Sequence, residues 1–172
     1  MVDILRSRNF LTLLLLVIVA GLISGIILFK KDFSSVKNVQ AATQYLSGFA
    51  WSSNVGWISF NCLDGSVCAI SDYKVTYNDA NGWLEGYAWS SNIGWIRFYD
   101  FGFYPESPNT MAKIDLLTGN VTGWARACAV FQSGCMGALK PDYERGGWDG
   151  WIKMAGTASN GNPYGLRFDN TL

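Results

Sequence analysis

The segment LSGFAWSSNVGWISF, residues 46–60, decides the fold, because it recurs as LEGYAWSSNIGWIRF at residues 84–98. Eleven of the fifteen positions are identical between these two copies. A third copy is split in two: Val121–Arg126 supplies its first half and Gly147–Met154 supplies its second half. A repeated unit of this length is typical of proteins built from one supersecondary structure used several times.

Each copy predicts two β-strands joined by a tight turn. A polar Asn that tolerates left-handed backbone stands before Val-Gly or Ile-Gly at the reversal, as at Asn54 and Asn92. Alternation then separates the side chains into two faces. We expect the Leu/Val-Gly-Ala positions of the first strand and the Ile-Phe/Met positions of the second strand to form the core. The small Gly and Ala residues should let another backbone or ring approach closely. The opposite face is aromatic but interleaved with Ser, Arg and Lys, so we expect it to be half exposed.

The order of the segments predicts an all-β domain of about nine strands in three pseudo-repeats. Further strands are expected at residues 73–77, 112–116 and 164–168, each placed after one hairpin. The last of them has no hairpin after it, and the first hairpin has no strand before it. The economical arrangement is a closed barrel or prism-like meander in which the carboxy-terminal strand completes the first repeat. A two-sheet sandwich is the alternative.

The amino-terminal part of the chain predicts a segment for export. Phe10–Phe29 is twenty residues without a charge, and as a helix it would span roughly 30 Å, the thickness of the bilayer hydrocarbon. This length favours an uncleaved membrane anchor, but Val39 and Ala41 offer the small residues of a signal-peptidase site, so cleavage after Ala41 stays open. We therefore divide the chain into a signal-anchor or signal segment with its linker, 1–41, and a Trp-rich β-repeat domain, 42–172.

The four cysteines predict two local disulfides. Cys62 and Cys68 follow the first hairpin, and Cys128 and Cys135 lie inside the insertion of the third. Each pair brackets a Gly-containing loop, and an apolar leader favours an oxidising, extracytoplasmic compartment. The alternative is a zinc site made of all four thiolates, although the spacings within each pair exceed the usual two to four residues.

Composition excludes several function classes. The chain contains no His, the commonest general base and metal ligand. Beyond residue 41 the chain carries 8 basic and 11 acidic residues, and this mild negative charge makes a nucleic-acid partner improbable. No nucleophile elbow, phosphate loop or metal motif is present. We therefore expect neither an enzyme nor a cofactor, and no catalytic or metal-binding residue is predicted.

The segments GYAWSSNIGWIRF and GGWDGWIKMAG resemble a family of uncharacterised exported proteins from bacteria with reduced genomes. Proteins of that family repeat GYAWSxNIGWI units and often contain a broken WAR…C…GGWDGWI variant. The likeness extends over residues 44–168. It implies an envelope or secreted location and a β-rich fold. It brings no known activity, so no functional residue is carried over from it.

The aromatic side chains are the candidate ligand contacts. Flat rings stack on sugar faces, but the same rings can pack on one another as cross-strand pairs that need no ligand. Their repetition in every copy favours packing, so recognition is better sought where the copies differ, in the insertion and in the loop at residues 100–109. The candidates are Trp51, Trp57, Tyr87, Trp89, Trp95, Trp124 and Trp151, together with Phe101, Phe103 and Tyr104 of the loop, whose alternative role is a lid over the core.

These features together predict an exported, non-enzymatic protein of the cell envelope, displayed at the cell surface or secreted. Its expected role is structural or adhesive, with a surface glycan or a protein as partner and with the membrane contacted through Phe10–Phe29. The alternative is a pilin-like filament subunit whose helices assemble as a homo-oligomer, although that segment lacks the Glu of a pilin helix. A secreted hydrolase is the third and most remote class.

Overall fold

The computed structural model describes residues 44–169, a part of the chain that consists of strands connected by turns and irregular loops. Two short helical elements are present in this part of the chain, a 3₁₀ turn at Cys128–Val130 and the helix α1 at Asp142–Arg145. The strands are β1 (Gln44–Tyr45), β2 (Phe49–Ser52), β3 (Gly56–Ser59), β4 (Val75–Tyr77), β5 (Leu84–Ser90), β6 (Gly94–Phe98), β7 (Lys113–Ile114), β8 (Asn120–Thr122), β9 (Trp124–Ala127), β10 (Trp151–Lys153), β11 (Ala155–Thr157) and β12 (Pro163–Arg167). The predicted β-rich fold is thus confirmed.

The three copies of the repeat form three antiparallel hairpins: β2–β3, β5–β6 and β9–β10. The same position faces its partner in each hairpin, as Trp51 opposite Trp57, Trp89 opposite Trp95, and Arg126 opposite Trp151. The insertion between β9 and β10 therefore leaves the register of the third hairpin unchanged. Local alternation and the turn residues suffice to set this register, because a slip of one residue would move every side chain to the other face.

The core lies on the face that alternation predicts. The buried side chains of the second strands include Ile58, Ile96 and Phe98, and Phe60 and Met154 directly follow β3 and β10 at the equivalent position. The first strands contribute the residues Leu46, Leu84, Ala88, Val121 and Ala125. The strands between hairpins add Val75, Ala112 and Ile114, and all of these residues belong to one hydrophobic cluster.

Two antiparallel sheets share this core. The larger runs in the order β1-β4-β5-β6-β9-β10, with β3 also pairing to β5 and β2 pairing to β3, and the smaller runs β11-β12-β8-β7. Strand β4 pairs with β1 of its own copy, as Tyr77 with Gln44, and β12 pairs with β8, as Arg167 with Asn120. In the second copy the equivalent contact is the isolated bridge between Trp83 and Lys113. The strands β4 and β7 also pair with the first strand of the next copy.

The prediction of a closed barrel is wrong. The carboxy-terminal strand β12 pairs with β8 and β11, and within residues 44–169 it forms no ladder with the first repeat. The two ends meet by side-chain packing, and Phe168 lies edge-on against Phe60 with the ring centroids 5.0 Å apart. Leu166 is half buried, whereas the equivalent Val75 and Ala112 are fully buried. The alternative prediction, a two-sheet sandwich, has the same number of sheets as the structure.

The strand count also differs from the predicted nine. In the described range, 44–169, there are twelve strands, because the first strand is divided in two copies (β1 with β2, and β8 with β9) and because β11 is an additional short strand. Both divisions lie next to a glycine of the repeat, Gly48 or Gly123, which has positive φ. The boundary at residue 41 and the apolar segment Phe10–Phe29 lie outside the described residues. Within these residues, no helix is long and apolar enough to cross a membrane.

Both predicted disulfides are present. Cys62 is bonded to Cys68 and Cys128 is bonded to Cys135, so the alternative of a four-thiolate zinc site is wrong. The first disulfide closes the loop after the first hairpin, and the second closes the start of the insertion. Paired cysteines at such short separation are typical of proteins that fold in an oxidising compartment.

We expect each disulfide to stabilise the domain by roughly 2–3 kcal/mol, since a short closed loop removes freedom mainly from the unfolded chain. The variants Cys62→Ser/Cys68→Ser and Cys128→Ser/Cys135→Ser should each lower the free energy of unfolding by that amount in urea denaturation. The wild type measured with a reducing agent should lose the sum of the two effects. An unchanged urea midpoint after verified reduction would contradict the expectation.

Candidate binding surface

The outer face of the hairpins carries the aromatic side chains that the sequence singles out, and the three copies expose them to different extents. We call the exposed rings of the first copy, Phe49, Trp51 and Trp57, the first-repeat patch. Their exposed fractions are 55%, 62% and 61%. The rings of Phe49 and Trp57 meet edge-on with centroids 6.4 Å apart, and Trp51 stands directly opposite Trp57. This face of the first hairpin is therefore open to solvent.

The first-repeat patch lies at an edge of the larger sheet. Strand β2 pairs only with β3 among the described strands, so the other side of its backbone has no ladder partner there. The turn residues Ser53 and Asn54 next to the patch are exposed. Exposed flat rings with hydroxyl and amide groups beside them provide both of the contacts that saccharides use, ring stacking and hydrogen bonding.

The loop after β3 holds this hairpin in place through Asp64. Its carboxylate accepts hydrogen bonds from the backbone N–H groups of Gly48, Phe60 and Asn61 at 2.7, 3.2 and 3.0 Å. The hydroxyl of Ser59 also donates to it, at 3.1 Å. One side chain thus ties the first strand, the second strand and the disulfide-bonded loop together, and it gives the first-repeat patch a rigid base.

The second copy buries its rings further. Trp95 lies in a cluster in which its ring centroid is 4.7 Å from that of Trp89 and 5.2 Å from that of Tyr73. The rings of Tyr87 and Trp95 are 6.3 Å apart. Tyr87 and Trp89 are 38% and 39% exposed, well below the values of the first-repeat patch. Ring-on-ring contacts therefore cover more of these side chains than of the rings in the first copy.

The third copy covers its rings completely or in part. The loop at residues 100–109, which we call the aromatic loop, places Phe101, Phe103 and Tyr104 within 5.2, 5.8 and 5.7 Å of the Trp151 ring. Trp124 is 6% exposed and its indole N–H donates to the carbonyl of Pro108 at 2.9 Å. The aromatic loop thus lies over the outer face of the third hairpin.

Further polar contacts fix the aromatic loop. The hydroxyl of Tyr104 donates to the carboxylate of Asp100 at 2.7 Å, and Lys153 forms an ion pair with Glu106 at 2.7 Å. Burial, and then the hydrogen bond to Asp100, raise the pKa of Tyr104 to about 12. The same hydrogen bond is the main cause that lowers the pKa of Asp100. The loop is therefore an ordered part of the fold, although Phe103 remains 62% exposed.

One residue of this face, Arg126, is not among the candidate ligand contacts predicted from the sequence. Arg126 occupies the position of Trp51 and Trp89, and its guanidinium carbon lies 4.4 Å from the centroid of the Trp151 ring. The signal was present in the sequence, because the third copy has WAR where the others have FAW and YAW. Because Arg is not an aromatic residue, a pattern of repeated rings does not reveal it.

The described residues contain no group of three or more Cys, Asp or Glu side chains placed to hold a metal ion. No protein-family model matches the chain, and no match was found among curated proteins or solved structures. The resemblance to exported repeat proteins therefore stays a prediction.

Proposed function

We propose that the protein is an exported recognition protein of the cell envelope whose first-repeat patch binds a surface glycan. The observation that supports this most directly is the difference between the copies. Trp51 and Trp57 are 62% and 61% exposed, while the equivalent Arg126 is buried and Trp151 is half-buried. Large exposed rings in one cluster usually mark a surface that contacts a ligand or a partner.

A saccharide suits the first-repeat patch on chemical grounds. Two indoles in cross-strand register offer flat apolar faces of the kind on which sugar rings stack. No charged side chain belongs to the patch, so a neutral sugar that binds there would not have to displace water from a charged group. The two disulfides support a location outside the cytoplasm, where cell-surface glycans are found.

The test is a glycan array with the full-length chain, followed by titration of the best neutral glycan with detection of intrinsic tryptophan fluorescence. We expect Trp51→Ala and Trp57→Ala each to weaken binding by about tenfold or more, as truncation of a central aromatic contact does. The matched control is Leu117→Ala, which removes an exposed apolar side chain that is 95% exposed and remote in sequence from the patch.

The melting temperatures of the three variants should stay close to that of the wild type, because the altered side chains are exposed. Binding that survives both tryptophan substitutions would overturn the proposal. The absence of any neutral glycan ligand on a broad array would overturn it as well.

A further inference from the structure

Arg126 is a buried cation without an acidic partner. Only 6% of the residue is exposed, and no carboxylate of the described residues lies within 4.0 Å of its guanidinium. Its Nε donates to the backbone carbonyl of Asp149 at 3.0 Å. Buried charges in proteins are ordinarily paired with an opposite charge, so an arginine held in this way requires an explanation.

The rings around Arg126 account for part of its stability. The guanidinium carbon lies 4.4, 4.9 and 5.8 Å from the ring centroids of Trp151, Phe131 and Phe103. Such contacts stabilise a cation electrostatically, but they satisfy none of its N–H donors. The aromatic loop and the insertion therefore form a cage around the charge, with Phe131 contributed by the insertion.

The two terminal nitrogens, Nη1 and Nη2, have no hydrogen-bond acceptor among residues 44–169, and neither is sealed from solvent. They form the planar fork with which arginine binds a carboxylate or phosphate through two parallel hydrogen bonds. The donors of this fork are thus free. The surrounding aromatic rings exclude water from the guanidinium, and the hydrogen bond from Nε fixes its orientation.

The other charges around Arg126 come from the insertion, from the turn before β10 and from Arg97, its partner across the sheet. The carboxylate of Asp149 accepts a hydrogen bond from the N–H of Trp151 at 3.4 Å, and the guanidinium of Arg145 is committed to the carbonyls of Lys140 and Trp148 and to Asp142. Burial is the main cause that lowers the pKa of Arg126, followed by the opposing effect of Asp149 and the like charge of Arg145. The charge of Arg145 is compensated by Asp142, so Arg126 is the cation that an anion would meet.

We propose that this cage is a subsite for the carboxylate of an acidic sugar, with Nη1 and Nη2 of Arg126 as the donors and the exposed ring of Phe103 as the wall on which the sugar lies. The inference rests on the proposed function, since it names the class of saccharide, but it concerns a different surface from the first-repeat patch. A planar oxyanion is the required chemistry, and the exposed aromatic ring beside it favours a uronic acid over a phosphate.

The test uses the full-length chain labelled with ¹⁵N and three probes: glucuronate, glucose and inorganic phosphate. We expect glucuronate to shift the side-chain Nε–H resonance of Arg126, glucose to leave it unchanged, and phosphate to shift it only at much higher concentration. This measurement needs no variant, so a failure of a variant to fold does not affect it. An unchanged Arg126 resonance at saturating glucuronate would overturn the proposal, and phosphate binding as tightly as glucuronate would overturn the assignment of a uronic acid.

A conservative variant adds a second readout. Arg126→Lys keeps the charge and most of the stem but loses the fork, so affinity for glucuronate should fall by about tenfold. The matched control is Arg97→Lys, because Arg97 pairs with Arg126 across the sheet and its guanidinium lies over a ring, 4.2 Å from the centroid of Tyr99. If both variants lost the same affinity for glucuronate, the loss would not depend on the fork of Arg126, and the proposal would be contradicted.

The two proposals fail in different ways. Loss of neutral-glycan binding in Trp57→Ala with glucuronate binding intact would support both sites as separate surfaces. If no neutral glycan binds but glucuronate shifts Arg126, the proposed function of the first-repeat patch is wrong and the acidic-sugar subsite stands. If neutral glycans bind and Arg126 does not respond, only the subsite is wrong.

Discussion

Alanine in place of Gly123 or Gly86 should destabilise the domain by about 2–5 kcal/mol. Both glycines have positive φ, +86° and +106°, and a side chain in left-handed backbone costs roughly 1–2 kcal/mol. An added Cβ would also overlap a backbone carbonyl oxygen, that of Met111 beside Gly123 and that of Lys74 beside Gly86. Backbone cannot move aside cheaply, so this overlap should add about 1–3 kcal/mol. Urea denaturation would measure the change.

Gly48 is the matched control within the same chain. It occupies the equivalent position in the first copy and has φ of +101°, but no atom lies within 4 Å of the place where its Cβ would stand. We therefore expect Gly48→Ala to cost only the conformational part, about 1–2 kcal/mol. If the three variants lost equal stability, close approach of the preceding strand would not be the reason for these glycines.

The comparison of these glycines shows what the sequence could predict. Alternation placed Gly48, Gly86 and Gly123 on the core face, and their small size indicated that another backbone could approach closely. That approach is confirmed at Gly86 and Gly123. Their left-handed conformation was not predicted, because an alternating pattern reports which face a residue occupies and not where a strand bends.

Local features were predicted well because they depend on neighbouring residues. The register of the hairpins, the core face and the pairing of Cys62 with Cys68 each follow from a few consecutive positions. Closure of the barrel was wrong because it depends on the curvature accumulated over all three copies. The strand β12 satisfies its hydrogen bonds with the nearby β8 and β11, which leaves nothing to force a ladder with the first repeat.

The candidate surface was predicted only in part. The sequence identified the rings and suggested that packing would be their main role, and ring-on-ring contacts around Trp95 and Trp151 show such packing. It could not predict that the rings of the first copy stay exposed while those of the third are covered. This difference depends on the aromatic loop, which follows the second copy and folds over the third. The importance of Arg126 likewise appears only when the loop and the insertion are brought together around it.

The second large effect is expected at Trp151, whose ring packs against the aromatic loop. Trp151→Ala should lower the free energy of unfolding by about 3–5 kcal/mol, as removal of a large packed aromatic side chain does. Its ring contacts Phe101, Phe103 and Tyr104 of the aromatic loop and also Trp124, so all of these would lose a packing partner. Arg126 would lose the nearest ring of its cage. Equilibrium denaturation followed by near-ultraviolet circular dichroism would measure the loss.

Trp57→Ala is the matched control, because Trp57 occupies the same position of the first hairpin. It is 61% exposed and, among residues 44–169, its ring contacts only that of Phe49, so its removal should cost about 1 kcal/mol or less. Equal destabilisation by the two substitutions would mean that Trp57 also belongs to the scaffold, and the first-repeat patch would then lose its claim to be a binding surface. A large difference between the two variants would mean that the repeat uses one tryptophan position for two purposes, with the aromatic loop deciding which copy is packed and which is left open.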